Sequence, residues 1–268
     1  MPPQVRPGFH GNPRGTPFDG ESAALGRLKP DRYRKQGPAA RASMYAAEAE
    51  GLRALRDAGV RAPEPFDHGV REGQAFIEMQ RLALGGPTDW PAMGRMLAQL
   101  HRHTAKSFGW ETDNWIGLAP QRNGWHADWA SFFLEKRLNP QAAQARRNGY
   151  SLELPDVASL LAGHRPQASL LHGDLWNGNA GFTAEGPVIF DPAVYYGDRE
   201  ADLAMTELFG GFPQAFYAAY DEAFALPQGY GGRKTLYNLY HLLNHLNLFG
   251  EAYLGQVRSA LGLLGRLL

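Results

Sequence analysis

The sequence contains no cysteine among its 268 residues, and its 27 Lys and Arg residues balance 27 Asp and Glu residues. The lack of cysteine excludes a disulfide scaffold, a thiolate metal site and a cysteine nucleophile. The lack of net charge gives no electrostatic reason to expect a nucleic acid or an anionic membrane as a partner. A small substrate that is neutral or of mixed charge fits this balance better.

Long apolar runs are also missing. No N-terminal run reaches the length of a signal peptide or a membrane-spanning helix, so we expect a soluble, cytoplasmic protein. Neither a G-x-G-x-x-G loop nor a Walker A lysine motif occurs, so a phosphate-binding turn must have another sequence. With 44% hydrophobic residues, the chain is globular and large enough to enclose a cleft.

The pattern of residue types changes along the chain. Residues 1–30 are rich in Gly and Pro, and we expect 1–19 to be loop or disordered. Spacing of apolar residues predicts a helix over 43–58 and a hairpin over 62–79. Later segments have helical periodicity, at 93–100, 127–138, 201–209, 213–224 and 233–248. We therefore predict a small first lobe over residues 1–83 and a larger, mainly helical lobe over 84–268, with a hinge at Gly85–Gly86.

The most informative stretch is His172-Gly-Asp-Leu-Trp-Asn-Gly-Asn179, followed by Asp191 at the end of a short apolar run. An Asp, an Asn after four intervening residues and a second Asp have the spacing of the protein-kinase catalytic loop and its metal-binding Asp. Apolar runs at 169–171 and 187–190 are too short for helices, so we expect strand, loop and strand. The spacing predicts phosphoryl transfer from a metal-bound nucleotide.

Each residue of this stretch receives an expected role. Asp174 would accept the proton of the substrate hydroxyl, and Asn179 and Asp191 would offer oxygen ligands to Mg²⁺. We expect His172 to brace the loop. Trp176 either flanks the substrate or is a core aromatic residue.

In the first lobe, phosphoryl transfer requires a strand Lys near the phosphates and a Glu on the next helix to hold it. Lys35 and Glu48 are the candidate pair, although Lys35 could instead be one of several solvated basic residues and Glu48 an exposed helix charge. The remaining predicted nucleotide-binding residues are the turn residues Gly20 and Ser22 and, where the hairpin ends, Glu78, Met79 and Gln80.

These residues and most of the chain after Ser43 resemble the fructosamine kinase (ketosamine-3-kinase) family. The resemblance covers residues 48–55, 108–109, 113–117, 120–123, 170–179, 190–202, 209–212 and 239–250. Its most specific parts are the segments HGDLWNGN and DPAVYYGDRE. The family shares the fold of aminoglycoside phosphotransferases and protein kinases. The resemblance thus implies an α+β, bilobal, protein kinase-like fold. Its first lobe would be β-rich and bind the nucleotide, and its second would be mainly α-helical and catalytic.

The resemblance also implies an activity, namely ATP- and Mg²⁺-dependent phosphorylation of the sugar 3-hydroxyl of a ketosamine. The phosphorylated adduct is labile, so the reaction promotes deglycation of an amine or a protein lysine. Carried onto this sequence, Asp174 is the base, Asn179 and Asp191 hold the metal, and Trp176 and His245 contact the sugar. The resemblance further implies that two braces, Arg199 and Asp202, tie the catalytic loop to the following helix. For His245, a core position in its helix is the alternative.

One departure from the family lies before the candidate lysine. The family has an apolar strand there, whereas this chain has Tyr33-Arg34-Lys35. A buried Arg34 is costly unless its charged head reaches solvent, so either this is an edge strand or Lys35 is not the right residue. The departure puts the affinity for ATP in doubt.

Two alternatives stay open on the residues. One is a sugar, choline or aminoglycoside kinase of the same fold, for which an aminoglycoside pocket should be rich in acidic groups. The other is a silent binding module that keeps the fold and has lost nucleotide turnover. Nothing in the residues specifies an oligomeric state or one preferred ketosamine.

Overall fold

The computed structural model describes residues 28–268, which begin with a small antiparallel sheet and one helix. The strands are paired in the order β1-β3-β2, and β2 and β3 form a hairpin. Glu72 and Gly73 at its turn both have positive φ angles, 50° and 78°, as the tight turns that suit twisted hairpins require. These elements are β1 (Arg32–Pro38), α1 (Ala42–Asp57), β2 (Pro65–Arg71) and β3 (Gln74–Gln80). The predicted helix and hairpin are confirmed.

The helix α1 covers one face of this sheet. Its buried residues Tyr45, Ala49, Leu52 and Leu55 recur every three or four positions, so they form one apolar stripe. The stripe joins buried residues of β3, such as Ile77, in one hydrophobic cluster. This packing fixes the direction in which the first turn of α1 points.

The rest of the chain is mainly helical, with short strands between the helices. The strands form one sheet in the order β10-β7-β4 and two hairpins, β5–β6 and β8–β9. The strands are β4 (Thr104–Ala105), β5 (Asn114–Ile116), β6 (Ala119–Gln121), β7 (Ala168–Leu171), β8 (Ala180–Thr183), β9 (Gly186–Ile189) and β10 (Tyr195–Gly197). The helices are α2 (Trp90–His101), α3 (Trp129–Phe132), α4 (Asn139–Arg147), α5 (Ala158–Leu161), α6 (Glu200–Glu207), α7 (Gln214–Ala223), α8 (Tyr230–Phe249) and α9 (Leu254–Leu267).

Four of the predicted later helices are confirmed as α2, α6, α7 and α8, with their ends shifted by a few residues. The helix expected over 127–138 begins at Trp129, because the carboxylate of Asp128 accepts the N–H of Ser131 and caps it. It changes to a π-helix over Phe133–Leu138. The helices α4, α5 and α9 are not among the predicted ones. None of the described helices is both long and apolar enough to cross a membrane.

The linker between β3 and α2 is attached to the hairpin β8–β9. The backbone N–H groups of Gly85 and Gly86 donate to the carbonyl of Phe182 at 3.0 and 3.1 Å. A Cβ on Gly86 would lie 2.1 Å from the carbonyl oxygen of Thr183, so only glycine permits this approach. One hydrophobic cluster continues from α1 and β3 into α2 and α7, across the predicted boundary at residue 83. That boundary and the hinge stay predictions.

A close contact between α2 and α7 also depends on glycine. A Cβ on Gly94 would lie 2.3 Å from the carbonyl oxygen of Phe216. We expect Gly94→Ala to lower the free energy of unfolding by about 1–3 kcal/mol, because overpacking outweighs the better helix propensity of Ala. Urea denaturation measures the change.

The matched control is Gly262→Ala in α9, where a Cβ would meet only the end of the Arg266 side chain at 3.8 Å. This change should raise the free energy of unfolding by about 0.5–1 kcal/mol, since Ala has the better helix propensity. Equal stabilisation by both substitutions would contradict the close packing of α2 on α7.

Candidate active site

The loop between β7 and β8 contains residues 172–179, and Asp191 follows β9. The expected strand, loop and strand are therefore confirmed. The Asn179 side-chain amide donates to the backbone carbonyl of Asp174 at 2.8 Å and to its carboxylate at 3.3 Å. Asp191 has φ +58°, a conformation that is uncommon for a residue other than glycine and that is found repeatedly at functional sites. The structure thus brings Asp174, Asn179 and Asp191 to one place.

Lys35 reaches this place from the first sheet. Its Nζ lies 2.7 Å from the carboxylate of Glu48 on α1 and 2.5 Å from that of Asp191. Lys35 and Glu48 are therefore paired rather than independently solvated. Burial acts to lower the pKa of Lys35, but the charges and hydrogen bonds of Asp191 and Glu48 outweigh it and raise the pKa. For Glu48 burial dominates, and it raises the pKa despite the Lys35 charge.

The electrostatic environment of Asp174 differs from that of a surface carboxylate. Burial, followed by the charges of Asp191 and Asp202, raises the pKa of Asp174 to about 7, although the hydrogen bond from Asn179 opposes the shift. A group with a pKa near neutral can accept a proton and later release it under physiological conditions. The environment therefore suits the predicted role of Asp174 as a base.

The backbone of the loop is held by Asp202 of α6. Its two carboxylate oxygens accept the N–H groups of His172 at 2.7 Å and Gly173 at 2.8 Å. The ring of His101 in α2 lies 3.2 Å from the same carboxylate. Burial acts to raise the pKa of Asp202, but the hydrogen bond and charge of His101 and the hydrogen bond from the Gly173 N–H outweigh it and lower the pKa. The carboxylate is thus a fixed acceptor beneath the loop.

The imidazole of His172 lies between the loop and the segment that leads to Asp191. Its Nε2 donates to the carbonyl of Phe190 at 2.9 Å, and its Nδ1 lies 3.3 Å from the backbone N of Asp174. Burial lowers the pKa of His172, so the ring is neutral and makes both contacts in one tautomer. These are the contacts expected of a brace, and the role stays a prediction.

Trp176 lies partly exposed in the same loop. A Cβ on Gly178 would lie 2.2 Å from the indole ring, so the ring packs directly over the Gly178 backbone. The edge of Phe209 approaches it, with ring centroids 6.3 Å apart. Trp176 also lines the cleft, which agrees with contact to a substrate better than with a core position.

These groups line one cavity of about 310 Å³ between the first sheet and the catalytic loop. This volume is at the lower end of the range for small-molecule sites. The sequence predicted part of its lining, namely Lys35, Glu48, Asp174, Trp176, Asn179 and Asp191. It missed another part, which comes from the start of α1 and the β5–β6 turn, namely Arg41, Met44, Tyr45, Trp115 and Leu118.

None of the missed residues belongs to a catalytic motif, although Trp115 lies in a segment that resembles the family. Tyr45 follows the apolar period of α1, so its spacing indicates a core residue. The β5–β6 turn reaches the cleft because Asn114 donates from its side-chain amide to the carbonyl of Val194 at 2.7 Å. That contact joins residues 80 positions apart, and no local pattern predicts it.

Three predicted nucleotide-binding residues do not line this cavity. Glu78 is buried between two arginines of β1, with Arg34 at 2.5 Å and Arg32 at 2.9 Å. The hydrogen bonds and charges of Arg34 and Arg32 lower the pKa of Glu78 although its burial acts to raise it. Met79 belongs to the hydrophobic core, and Gln80 is exposed at the end of β3.

The same contacts correct the expectation for Arg34. Its charged head does not escape to solvent, since it pairs with Glu78 across the strand pair β1–β3. Among the described strands, β1 is nevertheless an edge strand. Burial of the charge is tolerated because the ion pair satisfies it. The predicted residues Gly20 and Ser22 lie outside the described residues.

Two further predicted residues, His245 and Arg199, do not line this cavity, and their roles stay predictions. His245 does not line the cavity, because its place on α8 turns it towards Phe209, whose ring centroid lies 4.5 Å away, and its Nδ1 donates to the carbonyl of His241. Arg199 does not contact the catalytic loop. It donates to the hydroxyl of Tyr220 at 3.0 Å and to the carbonyl of Phe224 at 2.7 Å, so it joins the start of α6 to α7.

The geometry of the site defines the class of the protein. A Lys–Glu pair joins the small sheet to its helix, and it faces a loop that carries an Asp and an Asn, with a second Asp beside it. The protein is a phosphotransferase of the bilobal, α+β, protein kinase-like fold, and its acceptor is a hydroxyl group.

Comparison with known proteins specifies the family. The family model for fructosamine kinase matches residues 28–266. A probable ketoamine kinase of Synechocystis is 48% identical over 228 residues, which cover 81% of this chain and 77% of that protein. A chloroplastic protein-ribulosamine 3-kinase of Arabidopsis thaliana is 40% identical over 241 residues, which cover 84% of this chain and 72% of that protein.

A solved structure described as that of a fructosamine-3-kinase from Haemophilus somnus has a TM-score of 0.83 to this chain at 30% identity. The match covers 87% of this chain and 83% of that structure. The chain belongs to the fructosamine kinase family.

The support that Asp202 gives to the loop is testable by Asp202→Asn. An Asn amide offers one acceptor oxygen where the native carboxylate offers two, so one buried N–H of the loop loses its partner. We expect the free energy of unfolding at pH 7 to fall by roughly 2–4 kcal/mol.

The dependence on pH follows from the lowered pKa of Asp202. A carboxylate with a folded-state pKa below its unfolded value of about 4 stabilises fully above that value and loses its contribution as the pH falls through the folded pKa. The difference between wild type and variant should persist at pH 5 and shrink only below about pH 4. Urea titrations at several pH values measure both the loss of stability at pH 7 and its dependence on pH. If Asp202→Asn were as stable as wild type, the assigned contacts would be wrong.

Proposed function

We propose that the chain transfers the γ-phosphoryl group of ATP to the 3-hydroxyl of the sugar of a ketosamine, as in a fructosamine or ribulosamine adduct. The phosphorylated adduct is labile and leaves the amine, so the reaction promotes deglycation, and we place it in the cytoplasm. The observation that supports this proposal most is the contact of Lys35 with both Glu48 and Asp191, opposite Asp174 and Asn179.

Asp174 is the proposed base of the reaction. Its carboxylate lines the cavity, and its pKa of about 7 lets it accept the proton of the sugar hydroxyl. Asp202 and His172 would act by fixing the loop that carries Asp174, since they bind its backbone on two sides. Trp176 is proposed to contact the sugar from the same loop.

The nucleotide would approach from the first sheet. Lys35 is proposed to bind the phosphates of ATP, and Glu48 to hold its ammonium in place. A cation there is always charged at neutral pH, because the two carboxylates raise the pKa of Lys35. The negative charge of the phosphates would thus lie next to the positively charged ammonium of Lys35 in the cleft.

The residues beside Asp174 fit a Mg²⁺ ion. The side-chain nitrogen of Asn179 is engaged by Asp174, so its amide oxygen is the atom left for a ligand, and the carboxylate of Asp191 is 44% exposed towards the cleft. Hard oxygen donors of this kind, few in number, are typical of Mg²⁺ sites that also take phosphate. Asn179 and Asp191 would hold the ion, which when bound neutralises phosphate charge.

A specific observation favours ketosamines over aminoglycosides as acceptors. Apart from Glu48, Asp174 and Asp191, the described lining contains no carboxylate and includes the cation of Arg41. A polycationic acceptor would need further acidic groups. The contact between Lys35 and Glu48 argues against a silent binding module, whose support was the weak candidate pair of the first lobe.

The roles of Asp174 and Asp191 are tested by Asp174→Asn and Asp191→Asn. Each should lower kcat for phosphorylation of a small fructosamine by at least ~10²-fold, because base and metal ligand act in the transition state. Coupled ATP turnover gives the rates. The control Asp67→Asn, on the exposed face of β2, should keep the wild-type rate. If wild type binds neither Mg-ATP nor any ketosamine, the proposed function is wrong.

The role of Lys35 is tested separately by Lys35→Met. Loss of the ammonium should raise KM for ATP by about tenfold or more and leave KM for the ketosamine nearly unchanged. Lys106→Met removes an exposed lysine and serves as the matched control. Unchanged ATP kinetics in Lys35→Met would show that another residue binds the phosphates, and the assignment of Asp174 would stand.

A further inference from the structure

The cleft contains two polar groups that the proposed mechanism does not use. Arg41 is partly buried at the end of the turn that precedes α1, and Tyr45 follows one helical turn later with 3% exposure. Both side chains line the cavity that holds Asp174. Within residues 28–268, neither the guanidinium nor the phenol hydroxyl hydrogen-bonds to another group.

These two groups lie near each other above Gly37 of β1. A Cβ built on Gly37 would lie 3.3 Å from Nη1 of Arg41, 3.3 Å from the hydroxyl of Tyr45 and 3.0 Å from Cδ of Arg41. The missing side chain at residue 37 therefore leaves the space that the arginine occupies. A guanidinium and a hydroxyl that face one space in a cleft, both without partners, are a donor pair that is ready for an anion.

The residues around Arg41 and Tyr45 favour a carboxylate over a phosphate as the anion that this pair binds. Lys35 already provides the cation next to Asp191, on the side where the nucleotide is proposed to bind. The lining that α1 and the β5–β6 turn add beside Arg41 and Tyr45 is mostly apolar, with Met44, Trp115 and Leu118. Apolar walls around one planar, forked cation suit a singly charged carboxylate on a partly apolar molecule better than a polyphosphate.

We propose that Arg41 and Tyr45 form a subsite for the carboxylate of ketosamines derived from the α-amino group of free amino acids. This inference rests on the proposed function. In such an adduct only a few bonds separate the sugar C3 from the carboxyl carbon, so one small cavity accommodates both. In an adduct on a protein lysine the side-chain methylenes intervene and the carboxyl is an amide, so this contact is lost.

The test compares two substrates that differ only in the carboxylate, N-fructosylglycine and N-fructosylmethylamine. Wild type should phosphorylate the glycine adduct with about tenfold higher kcat/KM, because a charge-assisted contact in a cleft has that order of strength. Arg41→Gln should reduce this ratio to about one, and Arg41→Lys should restore part of it. Tyr45→Phe, which removes only the hydroxyl, should lower the ratio by a few-fold.

The matched control is Arg53→Gln, an exposed arginine on the same helix, which should keep the wild-type ratio. Thermal unfolding shows whether the variants are folded, and the ratio of two substrates on one preparation is insensitive to the fraction of active enzyme. A wild-type ratio near one overturns the subsite.

A rise of KM for ATP in Arg41→Gln, with an unchanged substrate ratio, would assign the arginine to the nucleotide phosphates and also overturn the subsite. Failure of the proposed function looks different, since wild type would then phosphorylate neither adduct.

Discussion

The ammonium of Lys35 lies between two carboxylates, that of Glu48 on α1 and that of Asp191 after β9, and this contact joins the three parts of the cleft. The two carboxylates together compensate this partly buried cation, so removal of either leaves its charge less well compensated. The position of α1 over the first sheet is therefore coupled to the position of the catalytic segment. The start of α1, with Arg41 and Tyr45, lines the same cleft.

The catalytic loop is also held by buried polar contacts. Asp202 binds two successive N–H groups of its backbone from below, and His172 connects it to the residue before Asp191. Since Asp202 stays ionised in a buried place, its charge contributes to the raised pKa of Asp174. The support of the loop and the basicity of the proposed base are thus two effects of one carboxylate.

The strand that carries Lys35 departs from the family's apolar pattern, yet it places the lysine beside Glu48. An arginine stands at position 34 where an apolar residue is expected, and Glu78 in the paired strand β3 compensates it. The charges of Arg34 and Glu78 neutralise each other across the sheet, and the neighbouring Lys35 reaches Glu48 at 2.7 Å. The sequence of β1 alone predicts an unfavourable buried charge at Arg34, because the residue that compensates it lies 44 positions away.

The positions of five later helices and the loop that carries Asp174 could be predicted from the residues, because helical periodicity and the spacing of a catalytic loop are local properties of a chain. The fold class followed from the resemblance of several segments to a known family. The sequence also suggested the pair of Lys35 and Glu48, which lie 13 residues apart. The contact of Asp191 with this pair, the orientation of His245 towards Phe209 and the position of Arg41 in the cleft are visible in the three-dimensional structure alone. These are contacts between distant segments, and they depend on how helices and hairpins pack, which no local pattern encodes.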